Sequence, residues 1–410
     1  MSTPSKRRRT IEEHRAVVAD LLAHASPGTE EVPLTSAAGR VLAEDVHAAV
    51  PLPVFTNSAM DGYAARWADV GAASDSAPVS LPVAEDLPAG RTDVPALAPG
   101  TVHRIMTGAP VPEGADVVVP VEATDGGTGT VVITSSPAAG SFLRHAGEDL
   151  AAGTTALPAG TVLGASQLGL VASVGRSSVV VARRPRVLVL STGTELVAPG
   201  EPLAPGQIYE SNSLLLATAV DAAGGAARTL HFVPDDVDQF LATVRAELAD
   251  ADLLITSGGV SMGAYEVVKD AFGALGTVEF VGVAMQPGGP QGAGTVDGVP
   301  VVTLPGNPVS SFVSFEVFVR PALRAALGIT DPGRLRTTAR LAGPLTSPAG
   351  RRQFLRGRYD GAGVDLVGGP GSHLVAHLAR ANSLVVVPED VTELPAGSEV
   401  EVVLIEGALQ

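Results

Sequence analysis

The residues best suited to chemistry in this chain sit in three glycine-bearing turns, each following an apolar run. Leu253-Leu254-Ile255-Thr256 leads into Ser257-Gly258-Gly259-Val260-Ser261-Met262-Gly263, and Ala264-Tyr265-Glu266-Val267-Val268-Lys269 has the pattern of a helix start. The apolar run fits a buried strand. Paired glycines let backbone approach a ligand without a Cβ clash, and the free N–H groups of a helix start favour an anion. Such a turn suits an oxyanion or phosphate; it also occurs in α/β turns that bind nothing. Two sister turns favour the first reading. Val187-Leu188-Val189-Leu190 ends in Ser191-Thr192-Gly193-Thr194-Glu195, and residues 301–304 end in Pro305-Gly306-Asn307-Pro308. Ligands of open parallel sheets bind at the carboxyl ends of strands, so the three turns predict one shared crevice.

Other polar positions carry two readings each. Asp61, in Asn57-Ser58-Ala59-Met60-Asp61-Gly62-Tyr63-Ala64, is either a turn former or a charge held for a ligand or metal. Thr107, in Met106-Thr107-Gly108-Ala109-Pro110-Val111-Pro112, lies in a connecting loop or is presented to a partner site. His373 and His377 are four apart, a pair that packing explains better than metal binding.

The elements that must position these residues follow from periodicity. Thr10-Ile11-Glu12-Glu13 matches a capping box ahead of a helix with Ile11, Val18, Leu21 and Leu22 on one face. Residues 64–144 read as short Val-rich strands at 79–83, 101–106, 116–121 and 130–134. A short helix over 164–173, followed by a strand at 179–181, is expected to return onto the N-terminal helix. From Arg186 the pattern alternates strand and helix, with helices over 214–223 and after Asp235-Asp236, and a helix start at Asn307-Pro308. This implies a parallel sheet covered on both faces. After Gly333 the chain returns to short strands with the turn spacing of a small β-barrel or sandwich. The expected units are 1–50 with 145–184 as a discontinuous elongated domain, 51–144 as an inserted β domain, 185–329 as an α/β domain, and 330–410 as a C-terminal β domain.

Composition narrows the function classes. A chain of 410 residues with 45% hydrophobic and 17% charged residues is globular and has room for several domains. A formal charge of −16 argues against nucleic acid as a partner, though a local arginine, a metal ion or backbone amides could meet a small anion. Without cysteine there is no thiol nucleophile and no cysteine-ligated metal. Neither a signal core nor a run long enough to span a membrane is visible, so a soluble cytoplasmic protein is expected.

Taken together, the segments at 57–64 and 106–112, Ala146-Gly147-Glu148-Asp149, Ser257-Gly258-Gly259-Val260-Ser261 and Leu304-Pro305-Gly306-Asn307-Pro308-Val309-Ser310 resemble the MoeA-type molybdopterin molybdenumtransferases, relatives of the C-terminal part of gephyrin. Weaker likenesses continue at Arg356-Gly357 and Gly371-Ser372-His373. The resemblance implies a three-layer molybdopterin-binding α/β domain, a discontinuous elongated domain, an inserted β domain and a C-terminal β-barrel. It implies a homodimer whose active site faces the α/β domain of one subunit with the inserted domain of the other, so that Asp61 and Thr107 reach across. The reaction implied is insertion of molybdate into adenylated molybdopterin with Mg²⁺-dependent release of AMP, after delivery by the pathway's adenylyltransferase.

By that likeness the catalytic candidates are Asp61, Thr107, Glu195, Asp235 and Glu266, with Asp61 and Glu195 toward Mg²⁺. The substrate-binding candidates are Ser257, Gly258, Gly259, Ser261, Pro305, Gly306, Asn307, Pro308, Ser310, Asp149, Arg356 and Ser372. Molybdate suits a nest of backbone N–H groups such as 305–310 could form. Asp252 starts its strand, away from the crevice, and is expected to be structural. The chain also departs from the family. Family members often carry Lys-Pro-Gly-Lys-Pro where this chain has Gln286-Pro287-Gly288-Gly289-Pro290, and aspartate at the positions of Thr194 and Glu266. Arg356 is the expected substitute for the lost charge, with Arg351 and Arg352 as surface residues. The alternative is a weakened molybdopterin-binding or scaffold paralogue. The pathway's adenylyltransferase itself would need neither the 57–64 segment nor the barrel.

Overall fold

The computed structural model describes residues 8–23, 28–231, 236–259 and 267–405. At its centre is a six-stranded sheet in the order Ala226–Leu230, Arg186–Ser191, Leu253–Ser257, Val299–Leu304, Pro290–Val296, Val278–Gly282. The first four strands pair in parallel, as the alternation predicts. Pro290–Val296 runs antiparallel to both its neighbours, so the sheet is mixed.

Strand alternation builds a core on each face. Val187, Val189, Leu253, Ile255, Val302 and Leu304 meet the helices Asn212–Ala223 and Arg320–Ala326 on one side. Leu188, Leu190, Leu254 and Val301 meet Val237–Leu248 and Val267–Leu275 on the other. The result is helix, sheet, helix. Gly224 takes the left-handed conformation that ends the first of these helices, with φ of 100°.

The capping box forms as expected: Thr10 N–H donates to Glu13 Oε2 at 2.8 Å, and Glu13 N–H to Thr10 Oγ1 at 3.1 Å. The helix it starts, Ile11–Ala23, departs from expectation in its partner. Instead of packing on 164–173, its buried face (Ile11, His14, Val18, Leu22) joins the core beneath the central sheet, and His14 meets Phe318 edge-on at 4.7 Å. An apolar stripe goes to the largest apolar surface within reach, and here that is the α/β body. The elongated region is made further on. Thr29–Pro33 pairs antiparallel with Ser178–Ala182, and Ala165–Ser173 packs over them through Val171.

Between these two strands the chain inserts a five-stranded sheet, ordered Val117–Pro120, Gly62–Ala65, Val102–Ile105, Val79–Leu87, Thr130–Ile133. Near the C-terminus, Arg352–Tyr359, Gly363–Leu366, Arg336–Leu341, Glu399–Leu404 and Ser383–Val387 form a ring closed by pairing of the first with the last. This is a β-barrel. Val385 and Val387 point into it, while Leu384 and Val386 point outward into the core beneath the central sheet. One apolar face therefore fixes the barrel against the α/β body. Among the described residues no helix is long and apolar enough to cross a membrane.

Candidate functional site

The three glycine turns meet at the carboxyl ends of three adjacent strands. Thr192 N–H donates to Ser257 O at 3.3 Å, and Gly258 N–H to Leu304 O at 3.1 Å. Their approach needs glycine. Gly258 has φ of +93°, and a Cβ on it would lie 2.9 Å from Thr192 O. A Cβ on Gly306 would lie 3.3 Å from Gly258 Cα. Asn212, at the start of its helix, braces the set: its Nδ2 donates to Ser257 Oγ at 2.8 Å and to Gly306 O at 2.6 Å. Ser257 Oγ also lies 3.0 Å from Ser311 Oγ, so this hydroxyl ties turns together.

Above the turns opens a cleft of about 2000 Å³. Of the expected residues, Glu195, Ser257, Gly258, Gly259, Pro305, Gly306, Asn307, Pro308, Ser310 and Ser372 line it. Glu195 is exposed at the end of its turn, with its carboxylate folded over Gly193, where a Cβ would come within 2.6 Å. The barrel supplies one wall: Asn307 Nδ2 donates to Ser372 Oγ at 2.9 Å, and Val309 N–H donates to Ser372 O at 3.1 Å. Asn307 holds the N-cap position with no side-chain cap hydrogen bond, and its Nδ2 is turned to the barrel. The expected amide nest over 305–310 is correspondingly smaller, since Pro308 has no N–H and that of Val309 is taken. Asp235, Ser261 and Glu266 lie outside the described residues.

Arg356 departs from expectation. It is 2% exposed, and its guanidinium donates to Gly371 O at 3.2 Å and also to Gly369 O. It supports the loop that carries Ser372 from behind and does not line the cleft. Arg351 does line it, whereas Arg352 turns away to Glu12 at 2.6 Å and Glu389 at 3.1 Å. Asp252 is structural, holding Arg186 N–H at 2.8 Å at the opposite strand ends. His373 lines the cleft and His377 does not, and no group of three metal-ligating side chains occurs among the described residues.

Asp61 and Thr107 form a second cluster away from this cleft. Thr107 donates to Asp61 Oδ1 through its backbone N–H at 2.6 Å and its hydroxyl at 2.8 Å. These two bonds hold the exposed Asp61 carboxyl below its usual pKa, so it stays ionised. Their loops are stitched together: Ser58 N–H donates to Ala109 O at 3.0 Å, and Gly108 N–H to Ser58 O at 2.8 Å. In the third motif Asp149 donates its N–H to Leu52 O at 3.0 Å, and its side chain is exposed.

Sequence reasoning missed three cleft residues. Buried Glu210 accepts from Ser213 N–H at 2.8 Å, so a carboxylate two positions before the first residue of Asn212–Ala223 caps that helix. A Glu three positions before Ser213 was the available signal. Gln291 Nε2 donates to Gly288 O at 2.6 Å and Ser314 Oγ at 2.7 Å. Neither that bracing nor that of Asn212 has a local signature, because the partners are distant in sequence.

Glycine turns converging from a three-layer α/β body onto a cleft walled by a closed barrel define a multidomain α/β protein with a cleft at its strand ends. The sequence profile of the MoeA N-terminal region (domain I and II) matches residues 9–175, that of a probable molybdopterin binding domain 188–325, and that of the MoeA C-terminal region (domain IV) 338–405. The chain is 54% identical to molybdopterin molybdenumtransferase 2 of Mycobacterium tuberculosis over 96% of its own length and 99% of that protein. It is 39% identical to molybdopterin molybdenumtransferase 1 of the same organism over 97% and 99%. The crystal structure of a molybdopterin biosynthesis MoeA protein from Pyrococcus horikoshii superposes with a TM-score of 0.82 at 34% identity, covering 98% of this chain and all of that one. The chain belongs to the MoeA-type molybdopterin molybdenumtransferases, a family of transferases.

Proposed function

We propose that this protein acts in molybdenum cofactor biosynthesis, inserting molybdate into adenylated molybdopterin with magnesium-dependent release of AMP. The observation that carries this reading is the convergence of the turns at Thr192, Gly258 and Gly306 on one cleft. Backbone amides of the 257–259 turn are suited to a substrate phosphate. Asn307, Ser310 and Ser372 offer polar groups for molybdate on the barrel side.

Asp61 and Thr107 do not line this cleft, so the reading gives them to a homodimer in which they face the cleft of the second subunit. Magnesium commonly uses one or two carboxylates with phosphate oxygens and water, a donor set that exposed Glu195 and ionised Asp61 fit. Held by these carboxylates, Mg²⁺ would supply stabilisation of charge on the leaving phosphate. Thr107 keeps Asp61 oriented and deprotonated. The substrate would come from an adenylyltransferase partner, in the cytoplasm. The four-domain division of the sequence is retained as part of this proposal, with the helix Ile11–Ala23 moved to the α/β body.

The test is AMP release from adenylated molybdopterin, with molybdate and Mg²⁺ added or withheld. Release that requires both supports the reading. No release, under conditions where a related family member turns over, overturns it. One observation favours the second reading of a weakened paralogue: Gln286 and Gly289 give the cleft no positive charge. Pterin binding without AMP release would select that reading.

A further inference from the structure

The cleft has to neutralise an anion in a protein whose formal charge is −16, and the residues that could do so are few. The cations on its wall are Arg8, Lys269 and Arg351, and the carboxylates are Glu195, Glu210, Asp270 and Glu279. Two of those carboxylates are engaged, Glu279 with Arg9 and Glu210 with Ser213. Arg351 immediately precedes the barrel strand that Arg352 opens, and the two side chains part. Arg352 meets Glu12 and Glu389, while Arg351 faces the cleft with no ion pair or hydrogen bond among the described residues.

Its position is tied to the 284–289 loop. Arg352 N–H donates to Ala284 O at 3.0 Å, and Val283 N–H donates to Gly289 O at 2.7 Å. Gln286 in that loop accepts from Gln353 Nε2 at 3.3 Å, so it is linked to the same barrel strand. The loop is neutral, and its neighbour just before the barrel strand carries an uncommitted guanidinium. A planar guanidinium can hold a phosphate through two parallel N–H···O bonds.

We propose that Arg351 is the anion-recognition residue of this cleft, binding the phosphate group of a pterin phosphate ester. The inference rests on the function proposed above, and it names a residue that nothing in the turns themselves reveals. The guanidinium stands on the wall of the same cleft as the strand-end turns. Most of the preference for an esterified over a free pterin then belongs to this side chain.

The experiment is a fluorescence titration of the full chain with 6-hydroxymethylpterin phosphate and with 6-hydroxymethylpterin. The wild type is expected to prefer the phosphate by about tenfold or more, the size of a charge-assisted pair. Arg351→Gln is expected to remove most of that preference while leaving the free pterin's affinity unchanged. Arg351→Lys keeps part of it, and Arg352→Gln keeps all of it. A preference that stays largely intact in Arg351→Gln, or one lost equally in Arg352→Gln, overturns the proposal while the cleft remains a pterin site. A wild type that binds neither pterin overturns the functional reading and this inference with it.

Discussion

Asn212 Nδ2 lies 2.8 Å from Ser257 Oγ and 2.6 Å from Gly306 O, so one buried amide spans the carboxyl ends of two neighbouring strands. This side chain adds to the backbone bonds Thr192 N–H to Ser257 O and Gly258 N–H to Leu304 O in fixing the spacing of the turns. Asn212→Ala leaves Ser257 Oγ and Gly306 O short of a donor, at a cost of about 1–3 kcal/mol. Urea unfolding should show the loss of stability. Pterin phosphate affinity should fall alongside it, whereas an Asn212→Ala protein that unfolds like the parent would remove the brace from the account.

Asp61 and Thr107 make a prediction about pH and about assembly. Thr107 lowers the Asp61 pKa through its N–H and then its hydroxyl, so the ionised form persists below the usual carboxylate range. Activity that needs this carboxylate is present above the lowered pKa and is lost as pH falls through it. Thr107→Val removes the hydroxyl donor, and the acid limb of the pH–rate profile should move to higher pH. Asp61→Ala and Glu195→Ala should each be inactive. In the proposed homodimer, mixing the two after dissociation should recover about one quarter of wild-type activity, because half of a random set of two-fold dimers carries one intact site. No recovery on mixing would place both residues' work in one subunit.

Much of the fold could be read from the chain because its strands are short apolar runs closed by turn residues. The strand Ser383–Val387 begins and ends where its pattern does. Pro290–Val296 could not be read in this way. Its Gly292 and Gly294 look like loop residues, yet a Cβ on either would collide with Thr303 or with the Thr277 carbonyl. Close backbone approach selected glycine there, and that is a tertiary fact. The same limit explains the arginines. Arg351, Arg352 and Arg356 are alike in sequence, and only the barrel's pleat and its docking separate a cleft residue, a surface pair and a buried strut. The glycine turns, by contrast, announced both their geometry and their shared location.

Gly288 and Gly289 should respond oppositely to substitution. Gly288 has φ of +96°, and a Cβ on it would sit 2.6 Å from Ser314 Oγ. Gly288→Ala should therefore destabilise by about 1–3 kcal/mol, measured as a shift in the urea midpoint. Gly289 has no left-handed φ, and its nearest neighbours to a Cβ are Val283 O at 3.6 Å and Met285 O at 3.7 Å. Gly289→Lys should fold normally and add a cation to the cleft. If the parent is limited by missing charge, AMP release should rise in this variant and in Gln286→Lys. An unchanged rate would mean that the existing arginine already meets the need.

His14 contributes to how this fold meets acid. Its ring is fully buried against Phe318 at 4.7 Å, and neither ring nitrogen has a hydrogen-bond partner among the described residues. Burial, reinforced by the charge of Arg9, lowers its pKa from 6.5 to about 4. The unfolded chain therefore binds a proton at a higher pH than the folded one. Well above pH 6.5 both states are neutral and nothing is lost. As pH falls from there toward 4, protonation favours the unfolded state increasingly, by an amount approaching about 3 kcal/mol. Urea unfolding at pH 8 and pH 5 should show this loss, and His14→Leu should shrink the part due to the imidazole. Because the helix Ile11–Ala23 is attached to the α/β body through this face, tryptic cleavage near the N-terminus should accelerate over the same pH range in the wild type and not in the variant. A His14→Leu protein with the parent's full pH dependence would shift the effect onto other groups.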